Sequence, residues 1–454
     1  MRAYARLLLV TVLVGVVALT AGCTAPKAAV EKPAQVGGYT AATTQQVKAG
    51  LGTAGVVVVD ARDNNAFIGW PLDGATRGGH IEGATDFSAS WLDVKGSDAD
   101  AQKAIDARLL ALLDTKGIKK ATSVVVYDAN GADAVKVAGY FKANGVADVK
   151  IYNVKLWAAD AALPMASYPN YTLIAPASYV KDAIANKGTS DLKVFEVSWG
   201  EASDDYKAAH ITGAVHINTD EVEVGPVWNR LPDAKLQKFA VNNGVTTKTK
   251  VILYSNGNDS MAAYRVMAIL KYMGVEDVRV LNGGLASWTA AGYPTEKGDN
   301  KKVAGLDFGA TVPVRADYIV DMPAAKAILA DPANASLVDI RSWDEHIGKT
   351  PGYSDIKEAG RPTGARWGGD MPADNANVDG TMRNFSEVLA NWSEWGIKPE
   401  QKLAFFCGTG WRAAEMLVYA DVAGLKDIHL YDGGWYEWIM KGDNPKATGV
   451  PVKP

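Results

Sequence analysis

The cysteine at position 407 has the surroundings of a reactive thiol. An apolar run over residues 403–406 stops at Cys407, and a stretch of helix-forming residues begins a few positions later. The residues between them are Gly408, Thr409, Gly410, Trp411 and Arg412. This pattern predicts a strand, a tight loop and a helix start, so that backbone N–H groups and a helix dipole favour the thiolate. We therefore predict that Cys407 is a nucleophile and that Arg412 supplies a fixed positive charge beside it. A buried structural cysteine would need neither the glycines nor the arginine.

Cys23, the other cysteine, ends a segment that is typical of an export signal. Arg2 and Arg6 precede an uninterrupted apolar segment over residues 7–19, and three small residues follow it. A basic start, a short apolar core and small residues before a cleavage point predict a signal peptide. The apolar segment is too short for a membrane-spanning helix, which needs about 20 apolar residues.

The residues that lead to Cys23 resemble a bacterial lipobox, although Thr20 stands where leucine is more common. This resemblance implies a lipoprotein signal peptide over residues 1–23, with Cys23 as the lipid-modified first residue of the mature chain. The alternative is a plain signal peptide that is cut elsewhere. Residues 24–37 begin with a stretch rich in Ala, Pro and Lys and would form a tether. We expect an exported protein, lipid-anchored to the bacterial cell envelope in the periplasm or at the outer membrane, in which Cys407 has no disulfide partner.

Length and composition restrict the other function classes. The 454 residues, 48% of them hydrophobic, leave room for about three domains after removal of a signal peptide. A net charge of −4 with both signs interspersed gives no indication of nucleic-acid binding. The five histidines are scattered, and neither a phosphate-binding loop nor a dinucleotide-binding motif is present. We therefore expect no metal site and no cofactor.

The sequence contains three diverged copies of one unit. Each copy has an apolar run, a turn with His or Arg, a second apolar run and a closing tryptophan. The turns are Gly79-His80-Ile81-Glu82-Gly83-Ala84, Ala209-His210-Ile211-Thr212-Gly213-Ala214 and Gly360-Arg361-Pro362-Thr363-Gly364-Ala365. The steps from His80 to Asp128, from His210 to Ser255 and from Arg361 to Cys407 are 48, 45 and 46 positions. Because each copy is too long for a solenoid repeat, we predict three small domains, at residues 38–172, 173–300 and 312–454.

Each copy alternates short apolar runs with helical stretches. Runs of four or five residues without polar alternation, such as 56–59 and 251–254, are typical of strands that are buried on both faces of a sheet. The fold class is therefore α/β, with three tandem domains that each have a small parallel sheet covered by helices on both faces. Ligands bind such sheets at the carboxyl ends of the strands, which is where the loop after residue 406 would lie.

Taken in order, these pieces resemble the rhodanese, or thiosulfate sulfurtransferase, family. The pieces are an Asp-x-Arg after the first strand, the Gly-His-Ile-x-Gly-Ala turn, a Cys-x-x-Gly-x-Arg loop and a Gly-Gly-x-x-x-Trp close. The resemblance covers nearly the whole mature chain and implies three tandem rhodanese-like domains. It also implies that Cys407 is the catalytic, persulfide-forming cysteine, that residues 408–411 form the substrate-binding loop, and that Arg412 is its catalytic arginine.

The resemblance further implies that the first two domains are inactive. Asp128 and Asp133 stand at the cysteine and arginine positions of the first copy, and Ser255 and Ser260 stand there in the second. Serine lacks the polarizable sulfur that sulfane transfer needs. We expect both domains to be structural or partner-binding, although two carboxylates at a helix N-terminus leave a cation site open for the first.

Two other arginines of the third copy are candidates for binding an anion. Arg361, followed by Pro362, replaces the usual His-Ile of the turn, and Arg341 follows the first apolar run. Either arginine would attract a dianionic donor or pair with a neighbouring acid. The residue pattern leaves both roles open.

The function that the resemblance implies is sulfur transfer through a Cys407 persulfide. The donor would be a small sulfur-containing anion such as thiosulfate. The acceptor would be a thiol, cyanide or a protein cysteine, including that of an envelope redox partner.

Other function classes use similar residues. A cysteine phosphatase places five residues between its cysteine and arginine, whereas four separate Cys407 from Arg412. A persulfide or selenium carrier or sensor would load Cys407 without turnover, and a lipid-anchored scaffold would use the three domains only as interaction surfaces. Thiosulfate turnover separates the enzyme from the carrier, and a persulfide on Cys407 separates both from the scaffold.

Overall fold

The computed structural model describes residues 34–186, 188, 191–201, 203–256 and 260–453, without the side chain of Ser260. The predicted signal peptide, its Cys23 and most of the predicted tether lie outside these residues. Within the described part of the chain, no helix is both long and apolar enough to cross a membrane.

The first copy forms a six-stranded sheet and one small antiparallel pair of strands. Its strands are β1 (Gln35–Val36), β2 (Tyr39–Ala41), β3 (Val56–Asp60), β4 (His80–Ile81), β5 (Thr85–Asp86), β6 (Ser123–Asp128), β7 (Asp148–Asn153) and β8 (Met165–Ala166). Its helices are α1 (Thr44–Gly50), α2 (Asn64–Ile68), α3 (Ala99–Thr115), α4 (Ala132–Ala143) and α5 (Val154–Ala158). The sheet order is β1-β2-β7-β6-β3-β5, and every pair except β1–β2 is parallel.

The second copy repeats this arrangement with a five-stranded parallel sheet. Its strands are β9 (Ile174–Ala175), β10 (Leu192–Ser198), β11 (His210–Ile211), β12 (Val215–Asn218), β13 (Glu223–Val224), β14 (Asn229–Arg230), β15 (Lys250–Tyr254), β16 (Asp277–Leu281) and β17 (Thr295–Glu296). Its helices are α6 (Ala177–Ala185), α7 (Asp204–Ala208), α8 (Asp233–Asn242), α9 (Ser260–Met273) and α10 (Gly284–Ala290). The sheet order is β12-β10-β15-β16-β9.

The third copy has the same five-stranded parallel sheet. Its strands are β18 (Ile319–Val320), β19 (Ala335–Asp339), β20 (Arg361–Pro362), β21 (Arg366–Trp367), β22 (Lys402–Phe406), β23 (Ile428–Tyr431) and β24 (Lys446–Ala447). Its helices are α11 (Met322–Ala330), α12 (Trp343–His346), α13 (Phe385–Glu394), α14 (Trp411–Val422) and α15 (Gly434–Met440). The sheet order is β18-β23-β22-β19-β21.

The three sheets share one topology, which confirms the predicted fold class. The central strands β6, β15 and β22 occupy the same place in each order, and each copy adds an antiparallel pair, β4–β8, β11–β17 or β20–β24. Helices cover both faces because alternate side chains of a central strand point to opposite sides. In β22, for example, Leu403 and Phe405 belong to one buried cluster and Ala404 and Phe406 to another.

The first sheet begins before the end of the predicted tether. β1 and β2 are joined by Gly37 and Gly38, whose φ angles of 56° and 85° are left-handed. A two-residue hairpin turn of this hand is adopted most readily by glycine. Gln35 and Val36 are therefore part of the sheet, three residues earlier than the sequence predicts for the first domain.

Helix α14 occupies the boundary between the second and third copies. It packs against α9, and its buried side chains lie on all of its faces rather than on one stripe. A helix that is apolar on all faces is one that is covered on all faces. The helix that starts beside Cys407 is thus held by both domains.

Candidate active site

Cys407 lies where the sequence predicts it, between the end of β22 and the start of α14. Its side chain is completely buried, and the backbone N–H of Gly410 donates a hydrogen bond to Sγ over 3.0 Å. Gly410 is the N-terminal cap of α14, with a left-handed φ of 108°. The sulfur therefore lies at the positive end of a helix dipole and accepts a backbone donor, and both contacts stabilise an anion there.

The loop around the sulfur is held from behind by the turn after β23. The N–H groups of Trp435 and Tyr436 donate to the carbonyl oxygens of Cys407 and Gly408, over 2.8 and 3.1 Å. Gly434 has a φ of 57°, and a Cβ on it would lie 2.6 Å from the Cys407 oxygen. These contacts fix the loop carbonyls on the side of this turn.

Arg412 is fixed beside the sulfur by a carboxylate that the sequence did not single out. Its Nη1 and Nη2 donate to the two carboxylate oxygens of Glu345 over 2.7 and 2.8 Å. Burial opposes ionisation of Glu345, but the hydrogen bonds and charge of Arg412 outweigh it and lower the pKa of this carboxyl. Burial likewise works against the charge of Arg412, whereas Glu345 raises its pKa well above the ordinary value. The pair is charged on both sides.

Tyr353 covers the loop from the solvent side. The guanidinium of Arg412 lies 5.3 Å from the centre of its ring. A Cβ on Gly408 would come within 2.4 Å of the same ring, so the ring contacts the loop where glycine has no side chain. Tyr353 thus closes one side of the entrance to Cys407 and contacts Arg412 through its π face.

The loop opens into a cavity of about 370 Å³ between the second and third domains. The second domain lines it with Trp199, Glu223, Trp228 and Met261, and the third with Tyr353, Ser354, Asp355, Ile356, Thr409, Trp411, Arg412 and Tyr436. Five of these twelve lining residues are aromatic. The sequence predicts Thr409 and Trp411 as part of the site, but it does not predict a wall from the second domain.

The wall of the second domain is tied to the catalytic loop by a buried polar network. The indole Nε1 of Trp411 donates to Glu223 over 2.7 Å, and Nε of Arg265 donates to the other oxygen of Glu223 over 2.8 Å. Arg265 also forms an ion pair with Asp432 over 2.6 Å. Burial raises the pKa of Glu223 to about 6 despite the opposing charge of Arg265. The second domain therefore positions the loop of the third.

The corresponding loops of the first two copies use their substituted residue as a helix cap. The Asp128 carboxylate accepts from the N–H groups of Gly131 and Ala134 over 2.7 and 3.0 Å. Burial and the negative charge of Asp128 raise the pKa of Asp133. Among the described residues no group of three His, Cys, Asp or Glu side chains could hold a metal ion.

Ser255 behaves in the same way in the second copy. Its Oγ accepts from the N–H of Ala263 over 3.0 Å. The side chain of Ser260, at the arginine position, lies outside the described residues. In both copies the residue that replaces cysteine satisfies helix N–H groups, a role that needs no reactivity.

The structure places Arg341 away from the cavity. It is completely buried, and its Nε and Nη2 bind the Asp339 carboxylate over 2.8 and 2.7 Å. Arg62 makes the same two contacts with Asp60 in the first copy, which has no cysteine. Because the pair recurs without a reactive thiol, the contacts support the ion-pair role for Arg341 rather than anion binding.

Arg361 also lies outside the catalytic cavity. Its Nη1 donates to the carbonyl oxygens of His346 and Gly449, both over 2.9 Å, rather than to a neighbouring acid. The structure therefore separates Arg361 from Arg412, although the sequence presents both as candidates for the same anionic donor.

The residues that the sequence analysis missed are Glu345, Tyr353 and the second-domain wall. Glu345 had one signal, since Ser342 and Glu345 have the spacing of a capping box and do form one at the start of α12. That signal predicts a helix start but not a contact with Arg412. No local pattern predicts that Glu223 reaches the loop of another domain.

Comparison with known proteins gives consistent results. The rhodanese-like domain model matches residues 43–155, 177–291 and 322–441, one stretch in each copy. Thiosulfate sulfurtransferase YnjE of Escherichia coli (strain K12) is 38% identical over 402 residues, which make up 86% of this chain and 88% of YnjE.

Solved structures match over almost the whole chain. The anaerobic ergothioneine biosynthesis enzyme from Chlorobium limicola, in complex with its natural substrate trimethyl histidine, is 34% identical with a TM-score of 0.82. The match covers 91% of this chain and 100% of that one. An EanB variant with a cysteine persulfide, in a tetrahedral intermediate state with ergothioneine, is 33% identical with the same TM-score and the same coverage of both chains.

Proposed function

Because the chain belongs to the rhodanese-like family and is a sulfurtransferase, we propose that it takes the outer sulfur of thiosulfate, or of a similar sulfane donor, and passes it to a thiophilic acceptor. The observation that carries this proposal is the Cys407 sulfur at the start of α14, which accepts the Gly410 N–H with the charged Arg412 beside it. Donor and acceptor share the cavity of about 370 Å³ that opens at this loop.

The first half of the reaction loads the cysteine. The Cys407 thiolate attacks the outer sulfur of thiosulfate, the bond between the two sulfur atoms of the donor breaks, and sulfite leaves with the electron pair. Cys407 then carries a persulfide whose terminal sulfur is negative. The Gly410 N–H and the helix dipole, which stabilise the thiolate, lie at the same place to stabilise that charge.

The second half of the reaction unloads the cysteine. A thiolate or cyanide attacks the terminal sulfur, the new bond to the acceptor forms, and Cys407 leaves as a thiolate. No external oxidant or reductant is needed, since the sulfane sulfur passes from one nucleophile to the next. Arg412 attracts the dianionic donor and stays charged throughout because Glu345 holds it by two hydrogen bonds.

Steady-state assays with thiosulfate as donor and cyanide, glutathione or dithiothreitol as acceptor test this proposal. Repeated turnover with ping-pong kinetics is expected. A single loading event without turnover, over the whole set of acceptors, would instead identify a persulfide carrier or sensor. Failure to load Cys407 at all would leave only the scaffold role.

The cavity lining favours one further acceptor class, a small aromatic cation. Three tryptophans and two tyrosines line the cavity together with Glu223 and Asp355. Aromatic faces and carboxylates together favour a quaternary ammonium group on an apolar body. Trimethyl histidine, which is bound to the Chlorobium enzyme, combines a quaternary ammonium group with an aromatic imidazole ring and a carboxylate.

With such an acceptor the terminal sulfur would enter a ring C–H bond. The carbon is oxidised, the sulfane sulfur is reduced, and Cys407 again leaves as a thiolate, so the step balances without another reagent. Incubation of the persulfide-loaded protein with trimethyl histidine, followed by mass spectrometry, tests this step. Ergothioneine formed by the wild type and absent with Cys407→Ser would support it, and unchanged trimethyl histidine would exclude it.

We further propose that the protein is anchored to the cell envelope through lipid on Cys23. The support is the sequence of residues 1–23, with its basic start, short apolar core and small residues before the cysteine. An envelope redox protein with an accessible cysteine is then the natural macromolecular acceptor. Cys23→Ser should move the protein from the membrane fraction to the soluble fraction, whereas a protein that stays with the membrane would exclude this anchor.

A further inference from the structure

The position of Arg361 is occupied by histidine in the other two copies. In the first copy His80 Nδ1 lies 2.9 Å from the carbonyl oxygen of Phe67, and the two rings stack. In the second copy His210 Nδ1 lies 2.8 Å from the carbonyl oxygen of Tyr206, again with stacked rings. In both copies the contact of one ring nitrogen, Nδ1, ties this turn to the short helix before it, and in the second copy Nε2 also lies 3.2 Å from Glu296 Oε1.

Arg361 forms the equivalent hydrogen bond to the short helix, and its guanidinium also has a charge and N–H groups that this hydrogen bond does not use. Its Nη1 donates to the carbonyl oxygen of His346 over 2.9 Å, which corresponds to the histidine contact of the other copies. The remaining N–H groups of Arg361, on Nε and Nη2, donate to no described residue. Its positive charge forms no ion pair with a described residue. The fold of the repeat, as shown by the histidine copies, does not account for them.

The charge of Arg361 is also poorly compensated. Arg361 is only 7% exposed, and no carboxylate of the described residues lies within ion-pair distance of it. Asp339, whose charge acts on Arg361, is already held by Arg341 and by His346. Burial lowers the pKa of Arg361; the charge of Asp339 opposes this shift, and the charge of Arg341 adds to it. A nearly buried guanidinium without a counter-ion is costly unless an anion joins it.

Arg361 lines a separate cavity of about 220 Å³, hereafter the Arg361 cavity. Its walls include His346, Arg361, Arg366, Trp367, Trp395 and Val452. Arg366 adds a second positive charge and is held by the backbone carbonyls of Pro332 and Gly396. No acid lines the described wall, and Nε2 of the buried His346 has no partner among the described residues.

Helix α12 contacts the catalytic loop and the Arg361 cavity through successive residues. Glu345 on this helix binds Arg412 in the catalytic loop, whereas the next residue, His346, lines the Arg361 cavity. Of the described residues, none lines both cavities. An anion at Arg361 would therefore be bound independently of the substrate at Cys407.

We propose that the Arg361 cavity binds a small inorganic oxyanion of the sulfate and sulfite class. The anion supplies the counter-charge that Arg361 and Arg366 lack, and the free Nε and Nη2 of Arg361 form a fork that matches two oxygens of such an ion. The volume of the cavity suits a small ion rather than a nucleotide or a peptide. The same chemistry has two sources, ambient sulfate or phosphate and the sulfite released from thiosulfate.

The test measures anion binding by the full chain with Cys407→Ser, which prevents reaction with sulfite. Sulfate, phosphate and sulfite are titrated by calorimetry at constant ionic strength, against the same chain with Arg361→His. Histidine is the matched replacement because the other two copies fold with it at this place. Loss of about tenfold or more in affinity for the site is expected, as removal of a charged donor pair costs at least that much. Tighter binding of sulfite than of sulfate would assign the site to the reaction product, and equal binding would assign it to ambient oxyanions.

Diffraction with selenate in place of sulfate keeps the proposal testable if Arg361→His fails to fold. An anomalous peak at hydrogen-bond distance from Arg361, in the chain with Arg361 intact, is the expected result. A peak only beside Arg412, or affinities that do not change with Arg361→His in a folded protein, would overturn the proposal.

Discussion

At the scale of single residues, the site depends on charges that are fixed before a substrate arrives. Cys407 Sγ accepts a backbone N–H, and Arg412 is held in place by both oxygens of Glu345. An ion pair of this geometry keeps the guanidinium aligned without a substrate, which reduces the entropy that substrate binding must remove. The position of Arg412 beside the Cys407 thiol could be predicted from the spacing of the two residues. The identity of the carboxylate could not, since Glu345 is 67 positions away.

Arg412→Lys should weaken donor binding more than it slows the chemical step. Lysine keeps the charge but cannot bind both oxygens of Glu345, so the charge is no longer held in one place. We expect the donor KM to rise roughly tenfold with a smaller change in kcat. Arg279→Lys is the matched control, because Arg279 binds both oxygens of Asp277 far from the cavity. An unchanged KM for Arg412→Lys would mean that Arg412 does not bind the donor.

Glu415 makes stability depend on pH near neutrality. It is buried on α14, with a single donor, Tyr419 OH, at 2.8 Å, and no cation among the described residues pairs with it. Burial raises its pKa from 4.5 to about 7, which corresponds to about 3 kcal/mol. The folded state thus favours the protonated carboxyl, and this stabilisation is complete below pH 4.5 and lost as pH rises through 7.

Glu415→Gln should remove this dependence. Between pH 5 and pH 8 we expect the unfolding free energy of the wild type to fall relative to that of Glu415→Gln, by up to about 3 kcal/mol. Denaturation curves at the two pH values measure the difference. Glu400→Gln, at an exposed position, should follow the wild type. Parallel behaviour of the wild type and Glu415→Gln would show that Glu415 is ionised when folded.

At the scale of elements, one strand-loop-helix unit is built three times and only the third copy has a cysteine after its central strand. Apart from the extra strand β1, the order of strands is the same in all three sheets, and the residue after or at the end of the central strand is Asp128, Ser255 or Cys407. The three copies and the position of the loop in each could be predicted from the spacing of the motifs, because each strand, loop and helix is a short continuous stretch of sequence. The contact of Tyr353 with the loop could not, since residues 348–360 contain no helix or strand whose period would place it.

Gly408→Ala should lower activity through Tyr353. A Cβ at position 408 would lie 2.4 Å from the tyrosine ring, which must then move away from the loop and from Arg412. We expect turnover to fall by about 10- to 100-fold, as small displacements of positioning groups do. Gly442→Ala is the control, because a Cβ there would meet nothing within 4 Å.

A double variant separates this mechanism from damage to the loop itself. In a Tyr353→Ala background the ring is absent, so the added Gly408→Ala should change turnover little. If Gly408→Ala lowers turnover equally in the Tyr353→Ala background, then the loop backbone itself requires glycine at position 408, and the effect does not act through Tyr353.

At the scale of the whole molecule, the second domain, which has Ser255 at the cysteine position, completes the site of the third. Glu223, Trp199 and Trp228 form one wall of the cavity, and α9 packs against α14. The sequence predicts the second domain as structural or partner-binding, and its part in the cavity adds a role that no motif indicates. Contacts between domains depend on how the folded domains pack against each other, and a local sequence pattern does not predict that packing.

Substitution of Arg265 should lower the free energy of unfolding more than substitution of any other residue of this interface. It is completely buried on α9 and pairs with Glu223 of its own domain and Asp432 of the third. Arg265→Gln leaves two buried carboxylates without a cation, which costs about 3–5 kcal/mol in similar cases. Chemical denaturation should show this loss, whereas Lys248→Gln, which removes an exposed pair with Glu276, should lose only a small fraction of it. Equal small effects would mean that water reaches the interface.

The most direct test of the account is the mass of the protein after treatment with thiosulfate alone. In a chain with Cys23→Ser, Cys407 is the only thiol, and intact mass spectrometry should show the addition of one sulfur atom that cyanide removes. The same chain with Cys407→Ser should show no addition. Sulfur that adds to the Cys407→Ser chain, or a Cys407 chain that stays unmodified while it turns thiosulfate over, would contradict a reaction through the Cys407 persulfide.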